Sequence, residues 1–168
     1  YVTYGGIPIV VLASTDEQKI KLLDNLFKET YIKDIVNRHK IRNAGEMEAL
    51  LDFLASAIGT LTNPNKLQKT FKSINHSKIT ATTITKYIDY LEDAFLVEEA
   101  SRYDIKGKSY IGTPQKYYFM DMGLRNARIN FRQQEVTHSM ENVIYNELRM
   151  RGFGVDVGNL QILEKGKN

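Results

Sequence analysis

The sequence predicts a mainly α-helical fold with a small β component, and three observations support this fold class. Apolar residues recur every three or four positions in several segments between residues 14 and 95, which is the spacing of helices with one buried face. A stretch rich in tyrosine and isoleucine follows, and its Lys106-Gly107-Lys108 sequence is typical of a hairpin turn. One more helix and a short alternating strand are predicted after it.

The first segment, residues 1–13, contains the pair Gly5-Gly6 followed by Ile-Pro, which predicts a tight turn or a linker that leads into a docked segment. Ser14 and Glu17 stand three residues apart, the spacing of a capping box. They predict the start of a helix that continues to about residue 27.

Two further helices are expected before residue 60. One covers about residues 30–39, and the next runs from about residue 45 to residue 58, with Gly59 as its C-cap. The second of these has the most regular apolar stripe of the sequence, which consists of Met47, Leu50, Leu51, Leu54, Ala55 and Ile58. A stripe of this kind predicts a buried helix.

The segment from residue 63 to residue 121 has the order of elements of a winged helix-turn-helix. Asn63 is expected to cap a helix with Pro64 at its first position, and residues 73–78 are expected to form a turn. Thr80 is expected to cap the next helix. Its predicted buried face consists of Ile84, Ile88, Leu91 and Phe95. A basic hairpin up to residue 119 would supply the wing.

The last predicted elements are a helix over about residues 139–151 and a strand over residues 153–157. A helix followed by a strand is a typical beginning of an α/β domain. We therefore divide the chain into a linker (1–13), a helical segment (14–62), a winged helix (63–126), and a connection with the start of a truncated α/β domain (127–168).

Composition excludes several classes of protein. The 168 residues are 42 % apolar and 26 % charged with a net charge of +3, and no cysteine is present, so disulfides and thiolate metal sites are impossible. No apolar run approaches the roughly 18–20 residues of a membrane span. No signal peptide opens the chain either, so we predict a cytoplasmic protein. Because the chain starts at Tyr1 and not at Met and stops at Asn168 in a polar tail, we predict a fragment of a longer protein. We find neither a phosphate-loop motif nor spacing typical of a catalytic triad, so we predict that the fragment is non-catalytic.

Candidate nucleic-acid contacts lie on the predicted recognition helix and wing. Outward side chains near the start of the helix would face a major groove, and the basic residues of the hairpin would contact phosphates. The candidates are Thr82, Thr83, Lys86, Arg102, Lys106, Lys108 and Lys116. Against this, Asp89, Glu92 and Asp93 on the same helix would repel DNA. The alternatives are a winged helix that only packs domains together, and a stand-alone winged-helix transcription regulator.

Glu141 and Glu147 on the last helix are the acidic residues that we considered for catalysis. They are six residues apart, which places them on different faces of a helix and makes them a poor acid–base pair. From the residues alone, both are expected to be solvated helix charges.

Several blocks together resemble a domain of unknown function that follows the AAA-type ATPase module in a large group of bacterial and archaeal ATP-binding proteins. Each block is modest alone, but their order and spacing are specific. The blocks are Tyr4-Gly5-Gly6-Ile7-Pro8, residues 31–38 (YIKDIVNR), residues 83–93 (TITKYIDYLED), residues 102–108 (RYDIKGK), residues 116–126 (KYYFMDMGLRN) and residues 141–148 (ENVIYNEL).

The resemblance implies an ATPase module upstream of Tyr1, with ATP and Mg²⁺ as its cofactors and with this chain as its partner. It also implies a restriction-endonuclease-like core that continues after Asn168. In that scheme Glu141 is a candidate metal ligand, and the other acids of the site lie beyond this chain. Because one carboxylate cannot hold a catalytic Mg²⁺, the resemblance implies an inert fragment, with a fragment of a nuclease-like enzyme as a further alternative.

Overall fold

The computed structural model describes residues 1–74, 76–132 and 135–159, and it confirms a mainly α-helical fold with a small sheet. The α-helices are α1 (Pro8–Val11), α2 (Asp16–Asn25), α3 (Lys33–Arg38), α4 (Ala44–Ser56), α5 (Pro64–Ile74), α6 (Ala81–Asp93), α7 (Met122–Arg128) and α8 (Val136–Met150). The strands are β1 (Val97–Asp104), β2 (Ser109–Phe119) and β3 (Val157–Asn159). Within the described residues, no helix has the length and apolar character needed to cross a bilayer.

The first two predicted helices form one continuous helical segment, because a π-helical stretch at Leu26–Ile32 joins α2 to α3. Its wider turn brings residues five apart onto one face, and Phe27 and Ile32 are both buried there. The capping box is also one residue later than predicted. Thr15 Oγ1 accepts a hydrogen bond from the amide of Gln18 (3.2 Å), and the side chain of Gln18 accepts one from the amide of Thr15.

Helix α4 contributes the centre of the core, as its apolar stripe predicts. Leu50, Leu51 and Leu54 are almost completely buried, and they belong to one apolar cluster with Leu67 of α5 and Ile84 of α6. Helix α4 packs against both α6 and α7. The predicted caps of the two following helices are confirmed: Asn63 Oδ1 accepts from the amide of Lys66 (2.8 Å), and Thr80 Oγ1 accepts from the amide of Thr83 (3.2 Å).

Phe95 is not on the buried face of α6, so this part of the prediction is wrong. Helix α6 ends at Asp93, and Phe95 adopts a left-handed conformation with φ +55°. Its side chain therefore leaves the line of Ile84, Ile88 and Leu91, and 76 % of it is exposed.

The sheet has the strand order β2-β1-β3. Strands β1 and β2 form the predicted antiparallel hairpin, with a register shift between Ala100 and Arg102. The strand predicted over residues 153–157 is displaced: β3 covers Val157–Asn159 and pairs in parallel with residues 102–104 of β1. Helix α8 begins at Val136, three residues earlier than predicted.

A turn at the start of α7, which we call the Asp121–Asn126 turn, binds the N-terminal segment. Asp121 caps α7 by accepting from the amide of Leu124 (3.1 Å), and its second carboxylate oxygen accepts from the amide of Gly6 (2.7 Å). The side-chain amide of Asn126 donates to the carbonyls of residues 2 and 3 at 2.8 and 2.9 Å. Arg125 is 1 % exposed and donates from Nε to the carbonyl of Ala55 at 2.8 Å.

Two glycines allow this close approach. Gly5 has φ +72°, and a Cβ placed on it would lie 2.0 Å from Asp121 Oδ1. A Cβ on Gly123 would lie 2.3 Å from the backbone carbonyl oxygen of Tyr4. Because neither site has room for a side chain, the glycines are required for the N-terminal segment to dock.

Helix α8 is attached to the end of β2 by two buried asparagines. Asn142 Oδ1 accepts from the amide of Phe119 (2.8 Å), and Asn142 Nδ2 donates to the carbonyl of the same residue (2.7 Å). Asn146 Nδ2 donates to the carbonyls of Phe119 (2.9 Å) and Met120 (3.1 Å). These side chains satisfy backbone groups that a neighbouring strand would otherwise pair.

Leu54→Ala tests the placement of α4 in the shared core. We expect a loss of about 2–5 kcal/mol in the free energy of unfolding, because a fully buried side chain is removed and leaves a cavity. Urea denaturation would measure it, with Leu12→Ala, a change at a residue that is 82 % exposed, as the control. A loss below about 0.5 kcal/mol for Leu54→Ala would contradict the placement.

Candidate functional site

The predicted contacts on α6 are at the N-terminal end of this helix. Thr82 and Lys86 are exposed, whereas Thr83 is half-buried with its hydroxyl 3.0 Å from that of the capping residue Thr80. A cleft at this point brings together the starts of α5 and α6 and one residue of β2. Its lining is Asn63, Pro64, Asn65, Ala81, Thr82, Thr85, Lys86 and Thr113, with no acidic side chain.

The predicted hairpin contacts fall into two groups. Lys106 and Lys108 are exposed in the turn between β1 and β2. Arg102 and Lys116 contact the C-terminal elements. Arg102 donates to Asn159 Oδ1 (2.8 Å) on β3, and Lys116 Nζ lies 2.6 Å from Glu141 Oε1 on α8. The structure thus places both of these cations between the hairpin and the C-terminal elements.

Glu141 is the centre of a polar cluster between α8 and β2. Its Oε1 accepts hydrogen bonds from Lys116 Nζ and from the hydroxyl of Tyr118, each at 2.6 Å. His138 Nδ1 lies 3.7 Å from its other oxygen. Partial burial raises the pKa of Glu141, but the bonds from Lys116 and Tyr118 lower it by more, so its pKa lies below the usual value. Glu141 is therefore an ionised carboxylate already bound by this chain's own donors.

Glu147 lies on a different face of α8 from Glu141, as their spacing of six residues predicts. It forms an ion pair with Arg151 at 2.6 Å on the exposed side of α8. Within the described ranges, no group of three or more His, Cys, Asp or Glu residues is arranged to hold a metal ion.

The acidic residues of α6 are not all on the face of Thr82 and Lys86. Glu92 is half-buried against the start of β1, where its Oε1 accepts from the amide of Glu99 (2.7 Å). Burial raises the pKa of Glu92, and it also raises the pKa of Glu99, which accepts from the hydroxyl of Tyr117 (3.0 Å). Asp89 and Asp93 remain exposed. Repulsion of a polyanion at α6 would thus come from these two.

The sequence reasoning missed two sets of residues. The first is the contact between the Asp121–Asn126 turn and the N-terminal segment, which no local pattern could reveal because the partners are over 100 residues apart. The second is a set of exposed lysines on α5 and on the turn after it. Their signal was available, because the sequence has no acidic residue between Asp52 and Asp89.

The chain thus has a mainly α-helical fold with a three-stranded sheet. It belongs to the family DUF8612, a domain of unknown function, whose family model matches residues 1–135. The match includes the Asp121–Asn126 turn and ends just before α8.

Two uncharacterized proteins are similar to nearly the whole chain. One from Haemophilus influenzae is 37 % identical over 169 residues, which is 98 % of this chain and 40 % of the relative. One from Methanocaldococcus jannaschii is 28 % identical over 153 residues, which is 91 % of this chain and 34 % of the relative. The chain thus spans less than half the length of either relative. No solved structure matches the chain significantly.

Glu141→Gln tests the role of the polar cluster. The folded pKa of Glu141 is below the usual value of 4.5, so its stabilising effect is complete above that value and is lost as the pH falls through the folded pKa. At neutral pH we expect the variant to lose about 1 kcal/mol of unfolding free energy, a low value because the carboxylate is partly exposed. At about pH 3 the difference should shrink.

Urea melts of wild type and variant at both pH values would measure this effect. Glu147→Gln is the matched control, because it removes a carboxylate from the same helix whose ion pair is solvent-exposed. An equal loss for the two variants, or a Glu141→Gln loss that grows as the pH falls, would contradict the assigned role.

Proposed function

We propose that this chain is a non-catalytic C-terminal module of a cytoplasmic AAA-type ATPase and that it contacts duplex DNA through a winged helix. The winged helix consists of α5, α6 and the β1–β2 hairpin. The observation that carries the proposal is the cleft where the starts of α5 and α6 meet β2, with Thr82 and Lys86 exposed in it.

The arrangement around that cleft favours a winged helix over an unrelated pair of helices. The residue before α5's cap, Thr62, pairs with Gln115 of β2 through two backbone hydrogen bonds of 2.8 and 2.9 Å. This bridge holds the start of the first helix against the hairpin. In such folds the N-terminal part of the second helix enters a major groove and the hairpin lies along the backbone.

The length of the relatives supports a module over a stand-alone regulator. More than half of each relative's length lies outside the region similar to this chain, which leaves room for an ATPase module. The resemblance of the Tyr4–Pro8 segment to the junction after such modules favours the same assignment. In this proposal ATP and Mg²⁺ belong to the upstream module.

Two features support a non-catalytic role for the chain itself. Its sequence contains no phosphate-loop motif. Its candidate metal ligand, Glu141, is bound by Lys116 and Tyr118, which gives this carboxylate a role in holding α8 to the hairpin.

Replacing Lys106 and Lys108 with alanine tests the contact between the wing and DNA. If both lysines bind phosphates, the double variant should bind duplexes more weakly than the wild type does. The loss of affinity should be about the same for random and AT-rich duplexes. The slope of log affinity against log salt should flatten by about two, since each phosphate contact adds roughly −0.9. Fluorescence anisotropy at several salt concentrations would measure both quantities.

The control is Lys21→Ala with Lys28→Ala, which removes the same charge from exposed positions on the first helical segment. Absence of wild-type binding at low salt, or binding untouched by the Lys106/Lys108 change, would contradict the proposed contact.

The non-catalytic assignment has its own test. When Mg²⁺ is added, the wild-type chain should leave DNA and ATP intact. Turnover that disappears in Glu141→Ala would overturn the non-catalytic assignment.

A further inference from the structure

The positive charge of this chain is concentrated in one interval. Between Asp52 and Asp89 the sequence has no aspartate or glutamate and five lysines, whereas the net charge of the entire chain is only +3. The rest of the chain is therefore slightly acidic. The five residues are Lys66, Lys69, Lys72, Lys78 and Lys86.

Three of these lysines form a stripe on the outer side of α5. Lys66, Lys69 and Lys72 follow one another at intervals of three residues, and all three are exposed. This spacing places them opposite Leu67 and Phe71, which are buried in the core. At a rise of about 1.5 Å per residue the stripe extends about 9 Å along the helix axis.

The five lysines of this interval form no ion pair in the described structure, whereas seven lysines and arginines elsewhere are paired with acids. Among the described residues, no carboxylate lies within ion-pair distance of any of the five; the ammonium of Lys66 is 3.3 Å from a backbone carbonyl, that of Leu61. Elsewhere, cations of the helices and strands are commonly paired with acids. These pairs are Lys19–Asp16, Lys33–Glu29, Arg38–Asp34, Lys116–Glu141, Arg128–Glu48, Arg128–Asp52, Arg149–Glu98 and Arg151–Glu147.

We infer that the main phosphate-binding surface is the outer side of α5 with the following turn, which we call the α5 lysine surface, and that its ligand is the backbone of duplex DNA. The surface consists of Lys66, Lys69 and Lys72 on α5 and of Lys78 in the turn after it. It adjoins the acid-free cleft at the starts of α5 and α6, where Asn65, Thr82 and Thr85 supply polar groups. This inference rests on the proposed winged helix and moves most of its phosphate contacts from the wing to α5.

The chemistry of the surface favours DNA over a membrane. A helix that lies on a bilayer needs an apolar face directed outward, but the apolar face of α5 is in the core and leaves only Ile74 exposed on this helix. A duplex carries one negative charge per about 1.7 Å of its axis, so a rigid stripe of about 9 Å can meet several phosphates. Lysines that bind these phosphates release counterions from the duplex, and this release favours binding.

The test is a pair of charge-matched double variants of the whole chain. Lys69→Gln/Lys72→Gln removes two charges from the α5 lysine surface, and Lys21→Gln/Lys28→Gln removes two from the first helical segment. With a labelled 20-base-pair duplex, the first variant should bind about tenfold or more weakly near 100 mM salt, and its salt slope should flatten by about two. The second should bind as wild type does. Circular dichroism melts would confirm that both remain folded.

The other results separate this inference from the proposed function. Binding that is lost in the Lys106/Lys108 variant but kept in Lys69→Gln/Lys72→Gln would overturn the α5 lysine surface and leave the proposed wing contact standing. No wild-type binding at low salt would overturn both. Equal weakening by the two charge-matched variants would show a general charge effect and overturn the assigned face. Tighter binding to duplex RNA or to anionic vesicles would overturn the choice of DNA.

Discussion

The contact between the N-terminal segment and the Asp121–Asn126 turn constrains the positions of the N-terminal segment and of α4 together. In this short turn the Asp121 carboxylate accepts a hydrogen bond from the Gly6 amide, and Asn126 donates to two further backbone carbonyls. The buried guanidinium of Arg125 donates to a carbonyl of α4. It follows directly on β2, the strand that also anchors α8 through Asn142. Segments far apart in the sequence are therefore joined at one place by hydrogen bonds, of which the bond from Arg125 to Ala55 is buried and costly to leave unmade.

Two groups of cations in the described part of the chain differ in their surroundings. Lys116, Arg102 and Arg125 connect elements of the fold, and each is bound by groups of this chain. The lysines of α5 and of the turn after it project outward in an interval that has no acids. Because a partly buried cation is held by its internal partners, outward lysines such as those of α5 and of the β1–β2 turn are the better candidates for contact with a polyanion. The candidate interface is thus defined by the absence of acids as much as by the positions of the lysines.

Local patterns predicted the elements whose structure depends on near neighbours. The caps at Asn63 and Thr80, the buried stripe of α4 and the β1–β2 hairpin all follow from spacing over a few residues. The errors occur where such rules compete. Thr15 and Ser14 are both able to cap α2. Helix α6 ends two residues before Phe95, whose left-handed conformation directs its side chain to solvent. The π-helical stretch also has no simple periodic signature.

The candidate site was less predictable than the fold, because the role of a charged side chain depends on distant partners. Nothing near Lys116 in the sequence reveals that it meets Glu141, 25 residues later, and Arg102 meets Asn159 from 57 residues away. A charge count along the chain would have found the lysines of α5. The displacement of β3 has the same origin, because its position is set by pairing with β1 and not by its own alternation.

Hydrogen exchange of two glycine variants tests whether the N-terminal segment is held by the Asp121–Asn126 turn. In Gly123→Ala the new Cβ would lie 2.3 Å from the carbonyl of Tyr4, whereas in Gly112→Ala the new Cβ has no atom within 4 Å. We expect Gly123→Ala to speed exchange of the Gly6 amide and of the α7 amides by about tenfold or more, and Gly112→Ala to leave them unchanged. Wild-type protection of these amides in Gly123→Ala would contradict it.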